Sequence, residues 1–242
     1  MKNAIVTGVS RGLGEALALA LLARGLSVTG IGRHNSSRLS GERYRFVSCD
    51  LADAAKIDST VAPAMQVIAE EQPEWVCLIN NAATSEPVGV IGAMNDSAIE
   101  ASLAANLIAP LMLANLFCRI FTDVTQARIV INISSGAGQS PLPGAGAYSI
   151  AKAGLEMLTK QLAAEHAAST LKAISVRPGI IDTPMQQFMR SQPRHALPSV
   201  AMFQDFYKSG QLVAPDVVAA KIVDKLVLGE IEQGRTYLYK EL

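Results

Sequence analysis

Tyr148 and Lys152 stand four residues apart in Tyr148-Ser149-Ile150-Ala151-Lys152, a spacing that puts both side chains on one face of a helix. A free phenol loses its proton near pH ~10. An ammonium a few ångströms away stabilises the phenolate and lowers that value toward neutrality. A phenol tuned in this way can hand its proton to a carbonyl oxygen as a hydride reaches the carbon. Upstream, Ile131-Asn132-Ile133-Ser134-Ser135-Gly136 closes a strand, and the Ser135 hydroxyl there could bind the same oxygen. Asn106 is a polar amide in the apolar run Ala104-Ala105-Asn106-Leu107-Ile108 and needs a partner. A place in this site would supply one, and so would a satisfied amide in the core.

A second constellation lies near the N-terminus. The run Thr7-Gly8-Val9-Ser10-Arg11-Gly12-Leu13-Gly14 follows an apolar strand and opens an amphipathic helix. Glycines there permit a tight turn and a close approach of backbone to a pyrophosphate. The helix start adds unpaired N–H groups and a positive dipole end. Gly8, Ser10, Arg11, Gly12, Leu13 and Gly14 are therefore the candidate dinucleotide cradle. The next strand ends Thr29-Gly30-Ile31-Gly32-Arg33-His34. An acidic residue at such an end suits the ribose hydroxyls of NAD, and a basic one suits the 2′-phosphate of NADP. Gly32 leaves room, and the Arg33 guanidinium offers a fork of donors, with Arg11 within reach of the same phosphate. NADP(H) is the expected cofactor.

Elements of alternating type must position these groups. Residues 4–7, 27–31, 45–49, 75–80, 128–134 and 172–177 read as strands, with a last short one at 236–239. Helical patterns span 12–24, 54–71, 97–122, 147–168 and 215–228. Nearly continuous Val, Ile and Leu in several strands fits a parallel sheet covered on both faces. The expected fold is an α/β, doubly wound parallel sheet in a single domain over residues 1–242. The long irregular stretch 182–213 carries Met185, Phe188, Met189, Met202, Phe203, Phe206 and Tyr207. It follows the carboxyl end of a strand, where ligands of such sheets lie, and reads as a substrate loop. Those apolar residues could equally pack onto the domain or against another subunit.

Composition excludes several classes. Lys plus Arg equals Asp plus Glu at 21 each, so no basic field suggests nucleic acid or an anionic membrane. The chain opens straight into its first strand without a signal-peptide pattern, and no run of about 18 apolar residues suggests a bilayer span. Cys49, Cys77 and Cys118 stand apart as expected core residues of a reducing compartment. His34, His166 and His195 lack metal-ligand spacing. A cytoplasmic protein without a metal is the expectation.

Taken in order, Thr7-Gly8-x-x-x-Gly12-x-Gly14, Asp50-Leu51, Asn80-Asn81-Ala82-Ala83, Asn106, Ser135, Tyr148-x-x-x-Lys152 and Pro178-Gly179 followed by Thr183 resemble the short-chain dehydrogenase/reductase family. The resemblance implies a Rossmann-type sheet of about seven strands and an Asn–Ser–Tyr–Lys tetrad. It implies Tyr148 as general acid/base, Ser135 as the group orienting the carbonyl, and Lys152 as the holder of the nicotinamide ribose. Asn106 would anchor a water in a proton relay. Asp50 and Leu51 would lie near the adenine, Asn81 near the adjoining ribose, and Ile181 and Thr183 near the nicotinamide amide. Ala83 departs from the family, which usually has glycine there.

The second half is similar to sepiapterin reductases and bacterial benzil reductases, in Ser134-Ser135-Gly136-Ala137-Gly138, in Pro141-x-Pro143-Gly144-x-Gly146-Ala147-Tyr148 and in Pro178-Gly179-Ile180-Ile181-Asp182-Thr183-Pro184-Met185-Gln186. That resemblance implies reduction of a small aromatic or dicarbonyl compound to a hydroxyketone. Sepiapterin reductases anchor the pterin through an acidic residue near the C-terminus, where this chain has Leu238. The mismatch favours a less polar dicarbonyl, as does the Met- and Phe-rich loop. Two other readings are a 3-oxoacyl thioester reductase of the same family and a non-catalytic NADP-binding sensor. The family also implies a homodimer or homotetramer paired through long helices such as 97–122 and 147–168.

Overall fold

The computed structural model describes residues 1–123 and 125–242. The strands are β1 (Lys2–Thr7), β2 (Ser27–Gly32), β3 (Tyr44–Ser48), β4 (Trp75–Asn80), β5 (Ala127–Ile133), β6 (Lys172–Arg177) and β7 (Thr236–Leu238). All pair in parallel, in the order β3-β2-β1-β4-β5-β6-β7. Every residue of β4, Trp-Val-Cys-Leu-Ile-Asn, is buried. That is why the central strands read as unbroken apolar runs rather than alternating ones.

The helices divide between the two faces. On one side α1 (Gly12–Ala23) packs beside α8 (Pro215–Ile222), with Leu17, Leu21, Val218 and Ile222 in a core that includes Ile79, Ile131 and Ile174. On the other, α2 (Ala54–Glu70), α4 (Ala109–Ile120) and α5 (Gly146–Glu165) cover Ile5, Leu78 and Val130. The order reverses at β1, which sends the chain to β2 and β3 and then receives β4 on its other edge. Such a reversal opens a crevice beyond the strand ends. Thr7-Gly8 and Asn80-Asn81 lie at its mouth.

Three expectations change. The 97–122 helix is α3 (Asp96–Leu103) joined to α4 by a π-helical turn, Ala104–Ile108, and α8 likewise runs into a π-helical turn at Val223–Val227. The 182–213 stretch is partly helical, with α6 (Pro184–Arg190) and α7 (Val200–Lys208). Thr183 caps α6 and Pro184 occupies its first turn, two start signals that short apolar segments hide. Finally, the 25-residue helix Asp96–Ile120 is long and apolar enough to cross a membrane, contrary to the reading of composition. Here its inner face, with Leu113, Leu116 and Phe117, packs on the sheet.

Candidate active site

The glycine turn is built by close approach. A Cβ at Gly14 would sit 2.2 Å from the Gly8 carbonyl oxygen, so α1 can start this near the strand only without a side chain. Gly8 has φ +76°, and a Cβ there would meet the Ala82 Cα at 2.8 Å. Thr7 locks the turn to β4, its Oγ1 accepting the N–H groups of Asn81 and Ala82 at 2.9 Å each.

Arg11, the N-cap of α1, makes no side-chain capping bond, which leaves the helix N–H groups facing outward. A Cβ at Gly32 would meet nothing closer than 3.9 Å, so the space beside the turn is open. Arg11 and Arg33 are exposed, and among the described residues neither takes part in an ion pair. An uncapped helix start, open space and two uncommitted guanidinium groups fit a dinucleotide with an extra phosphate.

Other members of the expected cofactor set behave differently. Leu13 is 7% exposed and packs in the core, so only its backbone can face an anion. Leu51 is also buried, while Asp50 accepts the Ala52 N–H at 3.0 Å. The Asn81 amide donates to the Thr7 carbonyl at 2.9 Å, which ties it to the turn. Ile181 bridges to Val213, and Thr183 Cγ2 lies 3.4 Å from where a Gly12 Cβ would be. The start of α6 therefore closes on the glycine turn. Ser10 is exposed beside it.

Ser135 follows β5 and Tyr148 and Lys152 lie on the first turns of α5, and the structure brings the three together. The Ser135 hydroxyl lies near enough to the Tyr148 hydroxyl to favour its ionised form, and its Oγ accepts the Ala137 N–H at 3.2 Å. Lys152 is 2% exposed, and its Nζ lies 5.6 Å from the centre of the Tyr148 ring and donates to the Ile133 carbonyl at 2.7 Å. Burial pulls the Lys152 ammonium down to about 8. The lowering of Tyr148 expected from that ammonium is not what the protein groups produce. Burial pushes the phenol up, and the Ser135 hydroxyl works against the rise.

Asn106 is fully buried in the π-helical turn. Its Oδ1 accepts the Thr84 N–H and its Nδ2 donates to the Thr84 carbonyl, both at 2.8 Å, with Ser102 Oγ at 3.3 Å. The side chain is thus a satisfied amide that pins the loop after β4. Ala83, half-buried, precedes the pinned residue.

An apolar wall surrounds the phenol. Tyr148 packs against a small buried cluster of Ala145, Met189, Leu197 and Val200, which Phe188, Phe203, Val88 and Leu142 also cover. Met202 and Tyr207 of the 182–213 segment are exposed, and Tyr207 lies under the Arg190 guanidinium at 4.2 Å. Leu238 pairs with Arg177 at the carboxyl end of β6, next to Tyr239, whose ring lies against Gly179. Among the described residues no group of three or more His, Cys, Asp or Glu could hold a metal ion.

Sequence reasoning missed a buried cluster behind Ser135, formed by Ser134, Glu156 and Arg177. Its signal was available, since Glu156 falls one turn after Lys152 in a helix that must bury that face.

Comparison with known proteins agrees with this geometry. The family model described as short chain dehydrogenase matches residues 2–194. A benzil reductase ((S)-benzoin forming) from Bacillus cereus is 33% identical, with 97% of each chain covered. A 3-oxoacyl-[acyl-carrier-protein] reductase from Salmonella typhimurium is 32% identical over 80% of this chain and 79% of its own. Among solved structures, the KRED1-Pglu enzyme superposes with a TM-score of 0.83 at 27% identity, covering 98% of this chain and 100% of that one. The chain belongs to the short-chain dehydrogenase family, in its benzil reductase-like branch, and is an oxidoreductase acting between CH–OH and C=O.

Proposed function

We propose that the protein is an NADPH-dependent carbonyl reductase that converts a small aromatic or apolar dicarbonyl to a hydroxyketone. The observation that carries the reading is the Tyr148 phenol beside the Ser135 hydroxyl and the buried Lys152 ammonium, packed against an apolar cluster that includes Met189 and Val200. The cofactor, when bound, supplies the hydride to the carbonyl carbon. Ser135 orients the carbonyl oxygen by donating to it, and Tyr148 releases its O–H proton to that oxygen, leaving an alcohol and a phenolate. Lys152 holds the nicotinamide ribose and offers its ammonium proton toward the phenolate. Arg33 and Arg11 hold the 2′-phosphate, and the turn Gly8–Gly14 with the α1 N–H groups holds the pyrophosphate. Asn106 acts on the site by fixing Thr84. The segment 182–213 closes over the substrate.

A pterin is disfavoured because Leu238 supplies no carboxylate. Glu241, the neighbouring acid, folds back to accept the Leu238 N–H at 3.3 Å. The likeness to an acyl-carrier-protein reductase supports a second reading, a 3-oxoacyl thioester as substrate. Three free cysteines suit a reducing cytoplasm. Exposed Leu111 of α4 and Ile150 and Met157 of α5 offer an apolar face for a second copy of the chain.

The test is oxidation of NADPH and of NADH with benzil, sepiapterin and an acetoacetyl thioester. Benzil with NADPH is expected to give the highest kcat/KM, and a faster thioester would transfer the assignment to the second reading. Tyr148→Phe should lower kcat by about 10²–10⁴-fold, the worth of a positioned proton donor. Turnover at the parent rate would end the mechanism and leave a role for Tyr148 in binding alone.

A further inference from the structure

Glu156 is a carboxylate on α5, 9% exposed, one turn beyond Lys152. Its Oε1 accepts from the Ser134 hydroxyl at 2.7 Å, and its two oxygens accept from Arg177 Nε at 2.7 Å and Nη2 at 2.8 Å. Arg177 Nη1 donates onward to the Gln139 amide oxygen. The pair is shielded, with the Arg177 and Glu156 side chains 16% and 11% exposed. Burial alone would raise the Glu156 carboxyl, but the guanidinium fork and the Ser134 hydroxyl outweigh it and hold the group below its ordinary range.

The four residues come from segments that carry the reacting groups. Ser134 immediately precedes Ser135, and its N–H donates to the Val176 carbonyl at 2.7 Å. Gln139 follows the short 3₁₀ turn Gly136–Gly138 that Ser135 caps. That turn lies directly on α5, since a Cβ at Gly138 would come 2.9 Å from the Lys152 carbonyl carbon. Arg177 ends β6 and leads into Pro178-Gly179. A bidentate guanidinium–carboxylate pair fixes angle as well as distance. Its desolvation offsets much of its attraction, so added stability does not account for a buried pair at this place.

We infer that Glu156 is a positioning residue which, through Ser134 and Arg177, holds the Ser135 hydroxyl in register with the Tyr148 phenol. The inference rests on the assignment of Ser135 and Tyr148 as the reacting pair.

The test replaces the ion pair by apolar side chains in Glu156→Leu/Arg177→Met, a change buried pairs often tolerate in stability. The expected result is a kcat lower by about 10- to 100-fold, the scale of a small misplacement of reacting groups. Tyr148 ionisation is followed by tyrosinate absorbance of each protein minus its Tyr148→Phe counterpart. Its midpoint should move up, because a displaced Ser135 hydroxyl no longer opposes burial. Ser134→Ala keeps the ion pair and is expected to lower kcat about threefold with a smaller upward move. It decides the matter if the double variant does not fold. Parent kcat and parent Tyr148 midpoint in the folded variants would overturn the inference, whatever happens to thermal stability. The titration needs no substrate, so a parent protein inactive on every dicarbonyl would overturn the proposed reaction and not this inference.

Discussion

Lys152→Met should make the protein more stable at neutral pH while removing its activity. Lys152 is 2% exposed, and burial pulls it from the ordinary 10.5 to about 8. About 2.5 pH units at 1.36 kcal/mol each means that the buried ammonium costs about 3 kcal/mol. Removing it also strands the Ile133 carbonyl, which now accepts from Nζ at 2.7 Å, a loss of about 1 kcal/mol. The variant should therefore be more stable than the parent by about 2 kcal/mol at pH 7.

The advantage depends on pH with a definite sign. Between about 8 and 10.5 the unfolded lysine is protonated and the folded one is not, so the unfolded state binds more protons. Parent stability must rise with pH across that window, through this group, and the advantage of the variant must vanish. Tyr148 is present in both proteins and cancels in the difference. Urea denaturation of both at pH 7, 8, 9 and 10, at one protein concentration, measures it. A difference that stays constant from pH 7 to 10 would refute the reasoning.

Arg33→Ala should weaken NADPH binding by about 10- to 100-fold, the worth of charge-assisted hydrogen bonds to one phosphate. NADH binding should hardly change, and calorimetric titration with both cofactors checks this; equal losses would remove Arg33 from the 2′-phosphate site. Asn106→Ala leaves the Thr84 N–H and carbonyl without their 2.8 Å partners and should destabilise by about 2–4 kcal/mol. Urea midpoints read that loss, and a change below about 0.5 kcal/mol would show that Thr84 finds other partners.

The alternation of apolar strands with helical patterns was legible because a parallel sheet buried on both faces leaves little freedom in its residue types. The glycine turn was legible for a similar reason: a Cβ at Gly14 has nowhere to go. Asn106, Ser135, Tyr148 and Lys152 could be picked out by type and spacing, but their physical state could not. Asn106 looked like a site residue because an amide in an apolar run needs a partner, and that partner proved to be the Thr84 backbone 22 residues away in the chain. The Ser134–Glu156–Arg177 cluster joins three separate elements, so the helical spacing of Glu156 from Lys152 hints at its burial but not at its partners. The 182–213 segment hid two short helices because seven to nine residues hold too few turns to show a period.

The opposed shifts of Tyr148 and Lys152 have one cause and a consequence for direction. Burial favours the neutral form of each, up for the phenol and down for the ammonium. At neutral pH the phenol is a protonated acid, which is the form that reduction requires. Giving its proton to a carbonyl oxygen creates a phenolate near an ammonium with a pKa of about 8, a far stronger acid than an ordinary lysine. The proton lost to substrate can thus be replaced from a group already buried in the site. Alcohol oxidation needs the phenolate in advance; burial opposes it, and the Ser135 hydroxyl and a protonated Lys152 act the other way. The same dry setting that costs the fold about 3 kcal/mol at Lys152 therefore biases the pair toward delivering a proton rather than accepting one.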